Sequence, residues 1–96
     1  MNEKQFKFTK MVAQLLQFAF QQPGYEIRIA SAYRKGDPRL HGKYLAIDLD
    51  LFIDGEYQAS TEAHRVLGEY WESIGGSWGG RFDDGNHYSL AHGGMR

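Results

Sequence analysis

The chain has 96 residues, which is room for a single domain, residues 1–96, with one hydrophobic core. Its 11 basic and 12 acidic residues give a net charge of −1, so we expect no nucleic-acid surface and no attraction to anionic lipid. The absence of cysteine excludes disulfide bonds and thiolate metal sites.

The N-terminal segment predicts an amphipathic helix over residues 8–20. Apolar residues recur there at spacings of three and four, which places them on one helical face. Pro23-Gly24 ends the helix. Glutamines interrupt the apolar run, so neither a membrane-spanning helix nor a signal peptide is expected. The apolar face consists of Phe8, Met11, Val12, Leu15, Leu16 and Ala19.

Two strands are predicted next, over residues 25–33 and 44–52, because both segments are rich in β-formers and the first alternates apolar with polar residues. Residues 35–40 contain a glycine and a proline and predict a loop between the strands. Asp54-Gly55 is a typical hairpin turn, so a short returning strand is expected after it.

A second helix is predicted to begin at Ser60 or Thr61 and to end at Gly75-Gly76. Ala63 occupies the position where a capping box would have an acidic residue or glutamine, so only the Ser60 hydroxyl is available as a cap. The apolar face of this helix comprises Val66, Leu67, Tyr70, Trp71 and Ile74.

The remaining segments are short. Residues 78–85 are glycine-rich and predict turns, residues 87–90 a final strand, and residues 91–96 a loose end. The succession of elements predicts an α+β fold, in which helices pack on a small antiparallel sheet.

Two of the four histidines lie in contexts suited to chemistry, His41 before the second strand and His87 after a turn. Between them, Asp48 and Asp50 share one face of the strand because side chains two apart point the same way. Two carboxylates on an otherwise apolar strand indicate either a solvated edge or a metal site. The two histidines and one of these aspartates would supply the three ligands of a catalytic zinc site.

Other chemistry-bearing residues are assigned to ordinary roles. His64 lies among polar residues of the second helix and is expected on the surface. His92 is not expected to be a metal ligand. Three aromatic residues are expected in the core: Phe20, Tyr70 and Trp71.

A family resemblance adds to these observations. The stretch HGKYLAIDLD resembles the core motif of the VanY-like family of D-Ala-D-Ala carboxypeptidases and phage L-alanyl-D-glutamate peptidases, roughly S-x-H-x-x-G-x-A-x-D. His41, Ala46 and Asp48 match it in register. The later WGGRFDDGNHYSL is similar to the family's W-G-G…(D/E)-x-x-H ending, through Trp78, Gly79, Gly80, Asp84 and His87.

A third segment, SAYR, is similar to the family's S-G-Y-R and places Arg34 at its arginine position. The three segments occur in the family's order within residues 31–90. The sequence departs from the family pattern at Ala32, which replaces a glycine, at Arg39, which replaces a serine, and at Tyr44, which replaces a glycine. These departures concern the substrate pocket more than the metal ligands.

The resemblance implies a role for each matching residue and a fold of the DD-peptidase/Hedgehog type. His41, Asp48 and His87 would bind Zn²⁺. Asp84 would act as general base, with the neighbouring Asp83 as a rival. Arg34 would steady the substrate carbonyl oxygen. From the residues alone, Asp50 stays open as a ligand, Arg34 as a surface arginine and Trp78 as a core residue.

The function that the resemblance implies is a zinc metallopeptidase that acts on peptidoglycan stem peptides. The expected form is a monomeric phage or prophage endolysin that cuts between L-Ala and D-Glu. It would be made in the host cytoplasm without a signal peptide and released by a holin-type pore. The alternatives are a D-Ala-D-Ala carboxypeptidase and a non-catalytic wall-binding module of the same fold.

Overall fold

The computed structural model describes residues 2–96 and has the predicted α+β architecture, with two α-helices and one antiparallel sheet. Three 3₁₀ turns, at Leu40–Lys43, Glu62–His64 and Gly79–Phe82, connect the elements. The helices and strands in chain order are α1 Asn2–Phe20, β1 Tyr25–Ser31, β2 Ala46–Ile53, β3 Glu56–Gln58, α2 Arg65–Ser73, β4 Ser77–Trp78 and β5 His87–Ser89.

Strand β2 is the centre of the sheet. The strands lie in the order β1-β2-β5-β4, and β3 also pairs with β2 through the hairpin at Asp54-Gly55. Both turn residues have positive φ, as a tight hairpin requires, so the predicted turn is confirmed. Alternate residues of β2 are fully buried on the core face, and the opposite face carries Asp48 and Asp50.

The helices cover the core face of the sheet. The predicted apolar stripe of α1 is confirmed, since Phe8, Met11, Leu15 and Ala19 are buried. The helix extends six residues further towards the N-terminus than the pattern predicts, from residue 8 to residue 2. Residues 2–7 lack the apolar period but contain good helix formers, which is why periodicity alone does not find them.

The start of the second helix agrees with the expected cap. The Ser60 hydroxyl accepts the backbone N–H of Ala63 at 3.1 Å. The chain first forms the 3₁₀ turn at Glu62–His64 and then enters α2, which buries Leu67 and Trp71.

Three expectations about burial are wrong, those for His64, Phe20 and Val66, and Val66 of α2 is 44% exposed although the pattern places it on the apolar face. His64 is 2% exposed, and its Nδ1 lies 2.8 Å from the hydroxyl of Tyr88, so it is a core residue with a polar partner. Burial lowers the pKa of His64, which favours the neutral ring. Phe20, the last residue of α1, is 54% exposed because it lies off the buried helical stripe that ends at Ala19.

The C-terminal residues 91–96 are not a loose end. His92 and Met95 exchange two backbone hydrogen bonds of 3.0 and 2.9 Å around Gly93-Gly94, whose positive φ values only glycine adopts readily. Met95 packs against the core. The sequence reading missed this turn because it is too short to show alternation.

Gly68 of α2 lies against the ring of Trp78, so closely that a methyl group at this position would overlap it. Alanine normally stabilises a helix relative to glycine by about 1 kcal/mol. We expect the opposite for Gly68→Ala, a loss of about 1–2 kcal/mol, because the core would be overpacked. Denaturant unfolding, with the exposed Glu69→Ala as control, measures this. A more stable Gly68→Ala protein would contradict the packing of Trp78.

Candidate metal centre

Three donor residues converge at one end of the sheet. His41 lies in the 3₁₀ turn before β2, Asp48 lies on β2, and His87 begins β5. Asp48 and His87 are direct partners in the antiparallel register of β2 and β5, which places their side chains next to each other on the same face. The backbone N–H of Leu45 bonds to the carbonyl of Leu40 and closes the turn that brings in His41.

The donor atoms are close enough to share one ion. One nitrogen of each histidine and a carboxylate oxygen of Asp48 all lie within 4.8 Å of one another. Oδ1 of Asp48 is 3.3 Å from Nε2 of His41 and 3.2 Å from Nδ1 of His87. The predicted set of His41, Asp48 and His87 is therefore assembled as a group that could bind a metal ion.

The hydrogen bonds of His41 leave a lone pair facing the group. Its Nδ1 lies 2.7 Å from the carbonyl oxygen of Ala32, which can only accept, so Nδ1 carries the proton. In the neutral ring, Nε2 then has a free lone pair. Nε2 is buried without a hydrogen-bond partner in the described chain, and so is Nε2 of His87. Unsatisfied buried nitrogens are costly, and a cation bound here would relieve that cost for His41.

The carboxyl group of Asp48 is held in its charged form. Partial burial alone would raise its pKa, but the hydrogen bond with His87 and electrostatic attraction from His41, His87 and Arg34 hold the pKa below its ordinary value. One Arg34 nitrogen lies 2.9 Å from Oδ2. Oδ2 therefore contacts the arginine while Oδ1 faces the two histidines.

Asp50, the rival ligand, is engaged elsewhere. Its register partner on β1 is Arg28, and the two side chains form an ion pair of 2.8 Å. The guanidinium of Arg28 also lies over the ring of Phe52. Asp50 therefore balances a cation on the same face of the sheet and does not join the donor group.

Arg34 belongs to the site. Its Nε donates to the Ser31 hydroxyl at 2.9 Å, one terminal nitrogen contacts Asp48, and the other lies 3.5 Å from Asp37. These contacts orient the guanidinium without using all of its N–H donors. Its side chain is 48% exposed, so the remaining donors are accessible from the cleft.

A cleft of about 170 Å³ opens over the donor group. Asp84 is on its wall and Asp83 is not. Asp83 has φ 64° and ends the 3₁₀ turn at Gly79–Phe82. Asp84 donates its N–H to Gly79 and accepts the N–H of His87, so the backbone holds its position beside the donor group. The cleft is lined by Arg34, Asp37, Arg39, Leu40, His41, Asp48, Asp84, His87 and Arg96.

Trp78 is a core residue and not a wall of the cleft. It is fully buried, and its indole N–H donates to the carbonyl of Gly85 at 2.8 Å. Gly80 packs tightly against its ring. The tryptophan therefore braces the turn that carries Asp84 and reaches the site only through the backbone.

Three cleft residues were not identified from the sequence as part of the site: Asp37, Leu40 and Arg96. Arg39, which replaces a serine of the family pattern two residues before His41, also lines the cleft. Arg96 is remote in sequence and is brought in by the terminal turn. His92 does not line the cleft, and its Nδ1 lies 3.4 Å from Nζ of Lys4.

Comparisons with known proteins add no assignment. The chain matches no protein-family model, no curated protein and no solved structure. Within residues 2–96, no helix has the length and apolar character to span a bilayer.

Asp48→Asn tests the donor group, with Asp50→Asn as the matched control two residues away on the same face. We expect the purified protein to bind one equivalent of zinc. Asp48→Asn and His87→Ala should weaken binding by more than about a hundredfold, because losing a ligand costs more than losing a residue that supports one. Asp50→Asn should bind as the wild type does. Elemental analysis measures the zinc content of each protein, and competition with a chelator measures its zinc affinity.

Zinc should also stabilise the fold. At about 100 times its dissociation constant it should raise the melting temperature by about 10 °C or more, because it binds the folded state preferentially. If neither zinc nor a chelator changes the melting temperature of the wild-type protein, the site is ruled out.

Proposed function

We propose that the protein is a zinc-dependent peptidase that cuts peptidoglycan stem peptides, with a fold of the DD-peptidase/Hedgehog type. One observation carries the proposal. The chain brings a histidine–aspartate–histidine group, a free carboxylate and an arginine into a single cleft. These are the parts that hydrolysis of an amide bond requires.

The donor set suits zinc. Catalytic zinc sites use three protein ligands of histidine and carboxylate type and leave a position for water. His41 also has the supporting contact typical of a ligand, because its other ring nitrogen donates to a backbone carbonyl. A zinc ion bound here would lower the pKa of a coordinated water to about 7 and polarise the substrate carbonyl.

Asp84 is suited to be the general base. Its carboxylate forms no ion pair within residues 2–96, lies in an exposed turn and faces the cleft. It would accept a proton from the attacking water and pass it to the leaving amine. Asp83 lies outside the cleft and is the weaker candidate.

Arg34 would act on the substrate oxygen. Its contacts with Ser31 and Asp48 fix the guanidinium beside the donor group. A donor still free in that position can bond to the carbonyl oxygen as negative charge develops on it. Arg34 thus has two tasks, to orient the Asp48 carboxylate and to stabilise the oxyanion.

The substrate is proposed from the resemblance of three segments to the VanY-like family and from the size of the cleft. At about 170 Å³ it has no room for the many subsites of a general proteinase. An endolysin that cuts between L-Ala and D-Glu severs the load-bearing mesh, whereas removal of a terminal D-Ala leaves it intact. The D-Ala-D-Ala carboxypeptidase is therefore the second candidate. An endolysin of this kind would reach the wall after release through a holin-type pore.

The identity of the base is tested by exchanging each aspartate of the Asp83-Asp84 pair. Asp84→Asn should retain zinc and fold but lose activity by about 10² to 10⁴, because an amide cannot accept the proton. Asp83→Asn should be close to wild type. Rates on purified peptidoglycan, with zinc content measured in parallel, give the answer. An inactive Asp83→Asn beside an active Asp84→Asn would transfer the role to Asp83.

The scissile bond is read from the products. Digested sacculi should gain new N-terminal D-Glu groups, which mass spectrometry after end-labelling detects. The metal-deficient His87→Ala protein is the control for contaminating hydrolases. Free D-Ala with an otherwise whole stem would establish the carboxypeptidase instead, and the absence of any product would leave only the non-catalytic wall-binding module.

A further inference from the structure

Two arginines at the cleft form no direct ion pair within the described residues. Arg34 is neutralised by Asp48 and Asp37, but neither Arg39 nor Arg96 forms an ion pair with any acidic residue in the described range 2–96. Of the acidic residues that line the cleft, only Asp84 is similarly free. With a divalent cation on the donor group, the free charge around the cleft is positive, so an anionic ligand is favoured.

The two arginines face a second space as well as the cleft. A cavity of about 420 Å³ adjoins them, lined by Arg39, Phe82, Gly94, Met95 and Arg96. Since Arg39 and Arg96 also line the cleft over the donor group, they border both spaces. A ligand that reaches from the cleft towards the second space would lie beside both residues.

The two arginines are positioned by different contacts, Arg39 through its backbone and Arg96 through its side chain. The backbone N–H of Arg39 donates to Asp37 at 2.8 Å, and its carbonyl accepts the N–H of Gly42, which ties it to the turn that carries His41. The guanidinium of Arg96 lies 5.8 Å from the ring centre of Phe82, whose ring packs against His87. One arginine is thus coupled to each histidine of the donor group.

We propose that Arg39 and Arg96 form a carboxylate-binding subsite beside the metal centre, and that this subsite holds a free α-carboxylate on the residue after the scissile bond. The proposal rests on the proposed peptidase function. Guanidinium groups suit this ligand because they bind carboxylates through paired N–H donors. The subsite differs from the oxyanion position at Arg34, whose guanidinium is already directed at Asp48.

Stem peptides offer this carboxylate in two places. D-glutamate is joined onward through its γ-carboxyl, so its α-carboxylate is free next to the L-Ala–D-Glu bond. The last D-alanine presents the same group next to the D-Ala–D-Ala bond. An amide in place of either carboxylate keeps the shape and removes the charge, which gives a matched pair of probes for each source.

The test compares the acid and amide forms of two synthetic peptides. The first is L-Ala-γ-D-Glu-diaminopimelate with its D-Glu α-carboxylate or α-carboxamide. The second is a stem pentapeptide that ends in D-Ala-D-Ala, with a free or an amidated terminus. Cleavage rates are measured in the zinc-loaded wild type, and binding is measured by calorimetry in zinc-loaded Asp84→Asn. The double variant Arg39→Gln/Arg96→Gln is compared with Lys35→Gln, which removes an exposed charge that does not line the cleft.

We expect one pair to show a preference for the acid of about tenfold to a hundredfold in binding and in kcat/KM, as hydrogen bonds to a charged group provide. The pair that shows it identifies the source of the carboxylate. The double variant should reduce the preference to within about twofold, and Lys35→Gln should keep it. Zinc content and melting temperature confirm that each variant is folded.

Each remaining outcome is decisive. If acid and amide are treated alike in both pairs, if the double variant keeps the preference, or if neither peptide binds, the subsite is wrong. If the acid and amide peptides are cut at the same rate, the peptidase proposal is supported and the subsite proposal is wrong. If no peptide is cut but the acid form still binds better than the amide, and this difference needs both arginines, the subsite proposal is supported and the peptidase proposal is wrong.

Discussion

The pairing of Asp48 with His87 across β2 and β5 is the contact on which the site depends. It sets a carboxylate and an imidazole side by side through backbone hydrogen bonds, so their approach does not rely on flexible side chains. His41 joins them from a turn that two backbone hydrogen bonds close. Arg34 donates a hydrogen bond to Oδ2, the other oxygen of the Asp48 carboxylate. A single aspartate thus contacts every charged or ligating partner in the group.

Strand β2 links this group to the core. Its alternate residues Leu49 and Leu51 are completely buried under the helices, while Asp48 and Asp50 occupy the other face. Because a shift of one residue in register would exchange the two faces, the burial of the leucines keeps both aspartates on the face that carries the histidines. The register then pairs Asp48 with His87 and Asp50 with Arg28. The packing of α1 and α2 therefore helps to define the site, although neither helix supplies a donor.

The sequence predicts much of this arrangement, because these features depend on residues that are close together in the chain. The period of α1, the Asp54-Gly55 turn and the spacing of His41 from Asp48 are all visible in the chain, and the structure agrees with each. The sequence does not show contacts between residues that are far apart in the chain. His64 looks polar and exposed on its helix, but Tyr88 from β5 gives it a buried partner. Arg96 reaches the cleft through a turn of two glycines that has no periodic signal.

The position of Arg96 also bears on how the protein is handled. Any peptide that follows this residue would begin beside the cleft, where it could block ligands and crowd the donor group. The turn at Asp54-Gly55 offers a better place for a label or a short insertion. It is exposed, and it lies six residues along β2 from Asp48, a separation of about 20 Å at the usual rise of a strand.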